Sequence, residues 1–236
     1  MTETATEFDA GSPASIQWQI PKEFYSLGLE LEAAERSAYL DSMAAEIWAN
    51  GTDYQRETVA YWYKEIAEAA ADDGALEAAF CMLRTEEGRV TTATLSVMAE
   101  PIASPGDAQT VIAGLVEALS NDPLNEVMEV NAESGPAVLT LSGMHMTARQ
   151  GVEDSVAPVT LELAQATVYV PCLPVSQLVV LTLTTPSIQD FPDYVGVLAR
   201  VTDSVKVNME QKPAGPAQRR PTDAHPSTLS VRDVFG

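Results

Sequence analysis

Two apolar strands joined by a proline-bearing turn constrain this chain more than any other stretch of it. They form the segment TVYVPCLPVSQLVVLTLTTPS, residues 167–187. Val168 and Val170 alternate with other residues, as in a strand with one buried face, whereas the run 178–183 is apolar on both sides. We therefore predict that residues 178–183 form a central strand, and that a helix beginning after Pro186 packs back onto the sheet.

Along the whole chain, the pattern of apolar residues predicts, in order, two helices, two strands, a helix, four strands and the last helix. Apolar residues at helical spacing predict an αα-hairpin from residues 32–49 and from Thr52 to near Gly74. Ser104 as cap, Pro105 and Asp107 predict the start of the middle helix. Strands are predicted on both sides of a turn at 86–88, and over 125–132, 137–148, 160–171 and 176–185.

If successive strands paired in parallel, a helix would have to lie between them, and the predicted pair of strands and the predicted run of four strands have no such helices. The sequence therefore predicts an α+β fold with an antiparallel sheet of about six strands, covered by helices on one face. The Thr-, Ser- and Pro-rich ends predict a disordered N-terminus over 1–15 and a flexible Pro-rich tail over 208–236. Residues 16–207 are then a single domain, which we favour over a domain boundary in the loop near residues 151–157.

The charge of the chain excludes some partners. The sequence has 34 Asp and Glu against 13 Lys and Arg, a net charge of -21. Such a surface repels phosphate, so we expect no nucleic acid partner. The sequence has no run of about 18 apolar residues, so we expect no insertion into a membrane. The first residues lack the basic and apolar regions of a signal peptide. We expect a cytoplasmic protein with an unknown protein partner.

The chain has few residues that predict chemistry. Cys81 and Cys172 lie in apolar runs without metal-binding spacing, and we interpret them as buried free thiols. A Cys–His catalytic pair would need one of them beside His145, and we favour a structural interpretation of all three residues. Phosphate-binding and serine-hydrolase motifs are absent from the sequence. We therefore predict no enzyme and no cofactor or metal.

Two segments are candidates for protein binding. Tyr54 and Tyr61 lie on the second helix among other aromatic residues, and they are either the rim of a core stripe or part of a binding patch. After a Pro-rich spacer, the end of the chain carries Leu229, Val231, Val234 and Phe235. This end is either an unremarkable tail or a docking peptide that adds as a strand or lies as a helix in a groove.

The C-terminal part of the chain resembles a known fold. A Val-Tyr-Val strand, a Pro-bearing turn, a strand running into TLTTPS and the helical pattern DFPDYVGVLARVTDSVKV resemble the Mog1/PsbP-like fold of actinobacterial proteins. The resemblance covers residues 169–207, with IPKEFYSL as a weaker counterpart of the first strand. The helical hairpin between Glu32 and Gly74 is a departure from it. The resemblance implies a binding or assembly factor and carries no catalytic motif.

These observations lead to three hypotheses of function. The first is a non-catalytic protein-interaction or assembly-accessory module, which the resemblance links to a secretion or surface assembly. The second is an acidic inhibitor or immunity-type protein that blocks a basic partner. The third is an enzyme of unrecognised type that uses Cys172 or His145.

Overall fold

The computed structural model describes residues 4–12, 14–103, 106–148 and 159–209. The helices in these ranges are α1 (Ala33–Ile47), α2 (Asp53–Asp72), α3 (Ala108–Leu119) and α4 (Phe191–Asp203). The strands are β1 (Thr4–Ser12), β2 (Ala14–Ile20), β3 (Tyr25–Ser26), β4 (Glu77–Arg84), β5 (Val90–Pro101), β6 (Glu126–Ala132), β7 (Gly135–Ala148), β8 (Val159–Cys172), β9 (Gln177–Thr185) and β10 (Lys206–Met209). From α1 to α4 the predicted succession of helices and strands is confirmed.

Side-chain caps determine where α2 and α3 begin. The Thr52 hydroxyl accepts from the Gln55 N–H, and the Gln55 side chain accepts from the Thr52 N–H, so the two residues form a capping box. At α3 the cap is Asp107, whose carboxylate accepts from the Thr110 N–H at 2.8 Å. The sequence pattern predicted Ser104 in this role, and Ser104 lies outside the described residues. An aspartate caps as well as a serine, and its charge suits the positive end of the helix.

A seven-stranded antiparallel sheet forms the centre of the molecule. Its strand order is β3-β4-β5-β9-β8-β7-β6. Strand β9 lies between β5 and β8, with Leu183 opposite both Leu95 and Ala166. The α+β class and the antiparallel sheet are therefore confirmed, and the predicted central strand 178–183 lies inside β9.

One face of the sheet carries the larger hydrophobic core. Strand residues such as Leu95, Val168 and Leu181 are buried there against Leu198 of α4 and Trp18 of β2. The Trp18 Nε1 donates to the Glu77 Oε2 at 2.7 Å, which ties β2 to the start of β4. We call this the α4 face.

The opposite face is covered by the other helices, so helices lie on both faces of the sheet rather than on one. Ala78 and Phe80 of β4 pack against the α1–α2 hairpin, with the Phe80 and Tyr63 rings 4.9 Å apart. Helix α3 contacts β6, β7 and β8, and its Ile112 is fully buried. Both faces need cover because successive residues of the central strands point to opposite sides and both sets are buried in part.

The N-terminal residues also differ from the expectation. Composition predicted disorder over 1–15, but the backbone of β1 pairs with β2 from Thr4 opposite Ile20 to Ser12 opposite Ala14. β10 pairs with the other edge of β2, so the three strands form a second sheet. Strand pairing uses backbone groups, which composition does not report. Of the tail expected over 208–236, residues from 210 onward lie outside the described residues.

Candidate functional site

The surface of α2 presents two tyrosine rings. Tyr54 is 72% exposed and Tyr61 is 44% exposed. They are seven residues apart, which is two helical turns, so they lie on the same side of α2 at about 10 Å from each other. The Tyr61 ring makes an edge contact with Trp62, whereas Tyr63 points into the core and is buried. The helical period thus sends Tyr63 inward and leaves these two rings at the surface.

The αα-hairpin around these rings is strongly acidic. Residues 29–74 contain eleven Asp and Glu against three Lys and Arg. Lys64 pairs with Asp41 at 2.7 Å. Arg56 pairs with Asp53 and also donates to backbone carbonyls at the end of α1. Two of the three cations are therefore engaged inside the hairpin, and most of its carboxylates remain to give a negative surface.

Tyr39 on α1 reports this negative environment. Its hydroxyl donates to the Ser26 carbonyl at 3.0 Å. Burial raises the pKa of Tyr39 above its ordinary value, and the charges of Glu30 and Glu46 raise the pKa further. The tyrosine is therefore neutral at physiological pH and acts as a hydrogen-bond donor.

A chain of polar contacts joins the β4–β5 end of the sheet to α4. Arg89 donates two hydrogen bonds to the buried carboxylate of Asp190, at 2.9 and 3.2 Å. The Thr91 and Tyr194 hydroxyls lie 3.0 Å apart in a hydrogen bond. The Cys81 thiol donates to the Tyr194 Oη at 3.7 Å. This network links the surface to a buried thiol, and no local sequence signal predicts it because it joins residues such as Arg89 and Asp190, which are 101 residues apart.

Two open grooves lie on either side of this ion pair and share Arg89 and Gln189. One has a volume of about 620 Å³ and extends over Glu86, Glu87 and Asp193. The other has a volume of about 740 Å³ and is bounded by Val90, Ile188 and Glu162, among others. Val90 and Ile188 are 58% and 47% exposed. The open shape and mixed lining of the two grooves suit contact with another macromolecule. They suit a small ligand less, because such a ligand is normally buried over most of its surface.

The ion pair is poorly suited to proton transfer. Hydrogen bonds from Arg89 and Thr91 hold the pKa of Asp190 below its usual range. The Asp190 carboxylate raises the pKa of Arg89 above its already high value. Both groups therefore stay charged at neutral pH, whereas an efficient general acid or base has a pKa near the working pH. The arrangement holds the first turn of α4 to the sheet.

The cysteines and His145 do not come together. Both thiols are free and buried, as predicted. His145 is exposed on β7, with its Nε2 3.8 Å from the Glu162 Oε1 of β8. Cys172 lies ten residues farther along β8, at about 34 Å. Cys81 lies in β4, four strand steps from β7, at about 19 Å across the sheet. A Cys–His pair is therefore not assembled by this fold.

Two further kinds of site are absent from the described ranges. Within residues 4–12, 14–103, 106–148 and 159–209, no group of three His, Cys, Asp or Glu side chains is placed to hold a metal ion. None of the helices described is long and apolar enough to cross a bilayer. The remaining candidates of the sequence analysis, Leu229, Val231, Val234 and Phe235, lie outside the described residues.

Comparison with known proteins gives a distant structural likeness. No family model and no curated protein sequence matches the chain. LpqN, involved in cell envelope biogenesis of Mycobacterium tuberculosis, is similar over 88% of this chain and 92% of its own, with 10% identity and a TM-score of 0.36. The Saccharomyces cerevisiae Ran-binding protein Mog1p is similar over 89% and 96%, with 12% identity and a TM-score of 0.39. At these values the likeness assigns neither a family nor a function.

Proposed function

We propose that this protein is a non-catalytic protein-interaction module that binds its partner through Tyr54 and Tyr61 of the αα-hairpin. The observation that supports this function is the exposure of both rings on one side of α2, while Tyr63 is buried in the core. A structural tyrosine would bury its ring, and these two do not. The partner is a protein.

Exposed tyrosines suit this role energetically. A tyrosine gives a large apolar contact area together with one hydroxyl, and it loses little side-chain freedom on binding. A small number of interface residues supply most of the binding free energy, and tyrosine is enriched among these residues. Two rings about 10 Å apart are a reasonable centre for such an interface.

The finer proposal is a role as an accessory of a secretion or surface assembly. It is supported by the sequence resemblance to the Mog1/PsbP-like fold over residues 169–207. The αα-hairpin is a departure from that fold. We therefore assign partner specificity to the hairpin and the common scaffold to the sheet and α4.

The second candidate function is an acidic inhibitor that blocks a basic partner. It is favoured by the net charge of -21 and by the excess of eight carboxylates in residues 29–74. The two functions differ in their response to salt. An acidic blocker loses association rate steeply as ionic strength rises, whereas an interface centred on tyrosine rings responds little.

Capture from the native host with the full chain as bait tests the proposal. A Tyr54→Ser/Tyr61→Ser bait should retain its partner about tenfold less tightly or worse, since central interface residues supply this much. A Leu124→Ser bait is the matched control, because Leu124 is a comparably exposed apolar residue just before β6, at the far end of the sheet from the hairpin. Equal recovery of every partner by the tyrosine variant and the parent would refute the interface. Association rates at low and high salt then separate the two functions.

A further inference from the structure

An apolar slot lies between α4 and the β6 edge of the sheet, on the α4 face. Its volume is about 130 Å³. Its apolar lining consists of Val130, Leu139, Val168, Val195, Leu198 and Ala199. This volume is well below the ~300 Å³ or more of a site for a drug-sized molecule, so the slot suits one aliphatic side chain. It is separate from the tyrosine surface of α2, which lies on the opposite face.

The strand beside the slot has an open edge. β6 is the last strand of the seven-stranded sheet, and in the described residues only β7 pairs with it. Alternate backbone groups of β6 therefore point outward, away from β7. An extended segment that pairs with this edge would lie next to the slot, and alternate side chains of the added strand would point toward the α4 face. An open edge with an adjacent apolar slot is the arrangement by which proteins bind an added strand.

The charge at this edge selects the kind of strand. Glu126, Glu129 and Glu133 are exposed along β6 and the turn that follows it. Asp203 lines the slot, and its carboxylate accepts from the Glu133 N–H at 3.1 Å. Acidic side chains on an edge repel a second copy of the same strand, which protects the edge from self-association. A strand without net negative charge avoids this repulsion.

We propose that residues 227–236 of this chain, STLSVRDVFG, add to the outer edge of β6 and place Leu229 or Val231 in the slot. The pattern Thr-Leu-Ser-Val alternates polar and apolar residues, which is typical of a strand with one buried face. Arg232 is attracted by the glutamates of β6, and Asp233 balances its charge, so the side chains of the segment carry no net negative charge. Residues 207–236 hold four Lys and Arg against three Asp and Glu, in a chain with a net charge of -21.

The length of the intervening chain allows this contact. Residues 210–226 include four prolines, whereas 227–236 contain none. The described chain ends at Met209, and the 18 residues from there to Ser227 span up to about 60 Å when extended. A folded body of this size is about 40 Å across. A tether of this kind gives an effective concentration on the order of millimolar, so a weak site is sufficient for occupancy.

Hydrogen exchange and methyl NOEs on the full chain test the proposal. In the parent protein, methyl groups of Leu229 or Val231 should show NOEs to Val130 or Val195, at an intensity that does not change on dilution. A Leu229→Ser/Val231→Ser variant should lose these NOEs. Its amides in β6 should exchange about tenfold faster or more, because they lose their strand partner, while those of β9 should not change.

Filling the slot provides a second arm with a matched control. Ala199→Phe places a ring in the slot and should abolish the same NOEs. Ala118→Phe changes an equally exposed alanine on α3, across the sheet, and should preserve them. NOEs that weaken on dilution would assign the site to the segment of a second copy and overturn the proposal. If amide exchange in β6 is the same in the Leu229→Ser/Val231→Ser variant and the parent, the glutamates only protect the edge. That result would also overturn the proposal. Neither result bears on the α2 tyrosines.

Discussion

Cys172 is buried at the end of β8, and burial decides what its side chain does. Burial raises the pKa of the Cys172 thiol to about 11. Burial also raises the pKa of Cys81, although the hydrogen bond to Tyr194 opposes part of that shift. Both thiols are therefore protonated at neutral pH, and a thiol is a much weaker nucleophile than a thiolate.

We predict that substitution of either cysteine changes stability and leaves binding intact. Cys172→Ser should lower the free energy of unfolding by about 1–3 kcal/mol, because it buries a hydroxyl in an apolar site. Cys81→Ser should cost less, since a serine there can bond to Tyr194. Denaturant unfolding measures the stability, and Cys172→Ala is the control without a new polar group. A serine variant with a native circular dichroism spectrum and lost partner binding would contradict a purely structural role.

Asp190 is the residue whose role the sequence pattern misassigned. A serine followed three residues later by an acidic residue, as with Ser187 and Asp190, is typical of a capping pair at the start of a helix. In the structure the Ser187 Oγ accepts from the Thr92 N–H at 3.1 Å. The Asp190 side chain makes no capping hydrogen bond to the helix and instead pairs with Arg89. The partner lies far away in the sequence, so local spacing carries no information about it.

The ion pair predicts a stability that depends on pH. Because the pKa of Asp190 is lowered in the folded protein, its contribution to stability is present above the ordinary aspartate pKa and is lost as pH falls through the lowered value. Asp190→Asn should therefore lower Tm at pH 7 and reduce the loss of Tm on acidification. Asp193→Asn, one turn away and exposed, is the control. An acid slope identical to the parent's would rule out a contribution from this pair.

At the scale of elements, helix α2 depends on its capping box. Thr52 and Gln55 satisfy each other's backbone N–H groups at the first turn. We predict that Thr52→Ala lowers the free energy of unfolding by about 1 kcal/mol, because one N–H group loses its acceptor. Urea unfolding measures this change. Thr58→Ala is the control, since the Thr58 hydroxyl bonds to the Tyr54 carbonyl inside the helix, and its loss should have little effect.

Strand β9 should be the most protected strand of the sheet. It pairs on both sides, with β5 and β8, and Val179, Leu181 and Leu183 are fully buried. We predict that amides of residues 178–183 exchange only by global unfolding, whereas those of β10, which pairs only with β2 in the described chain, exchange faster. Hydrogen exchange followed by mass spectrometry compares the two segments. Faster exchange in 178–183 than in β10 would contradict the central position of β9.

At the scale of the whole molecule, the succession of helices and strands was predictable but their arrangement was not. Periodicity depends on neighbouring residues, so α1, α2 and strands β4 to β9 could be found from it. The insertion of β9 between β5 and β8 depends on pairing between distant residues such as Leu95 and Leu183, which are 88 positions apart. No local pattern reports that pairing, nor the pairing of β1 and β10 with β2.

The candidate surfaces divide in the same way. Tyr54 and Tyr61 could be proposed from helical spacing, because a helix that buries Tyr63 must turn some neighbouring rings outward. The Arg89–Asp190 pair and the slot beside α4 could not, since each joins side chains from elements that are distant in sequence. The sequence alone thus determined the four helices and strands β4 to β9, the acidic charge and the burial of the two thiols. The tertiary structure decided the strand order and where open edges and grooves lie, because these depend on contacts between distant segments.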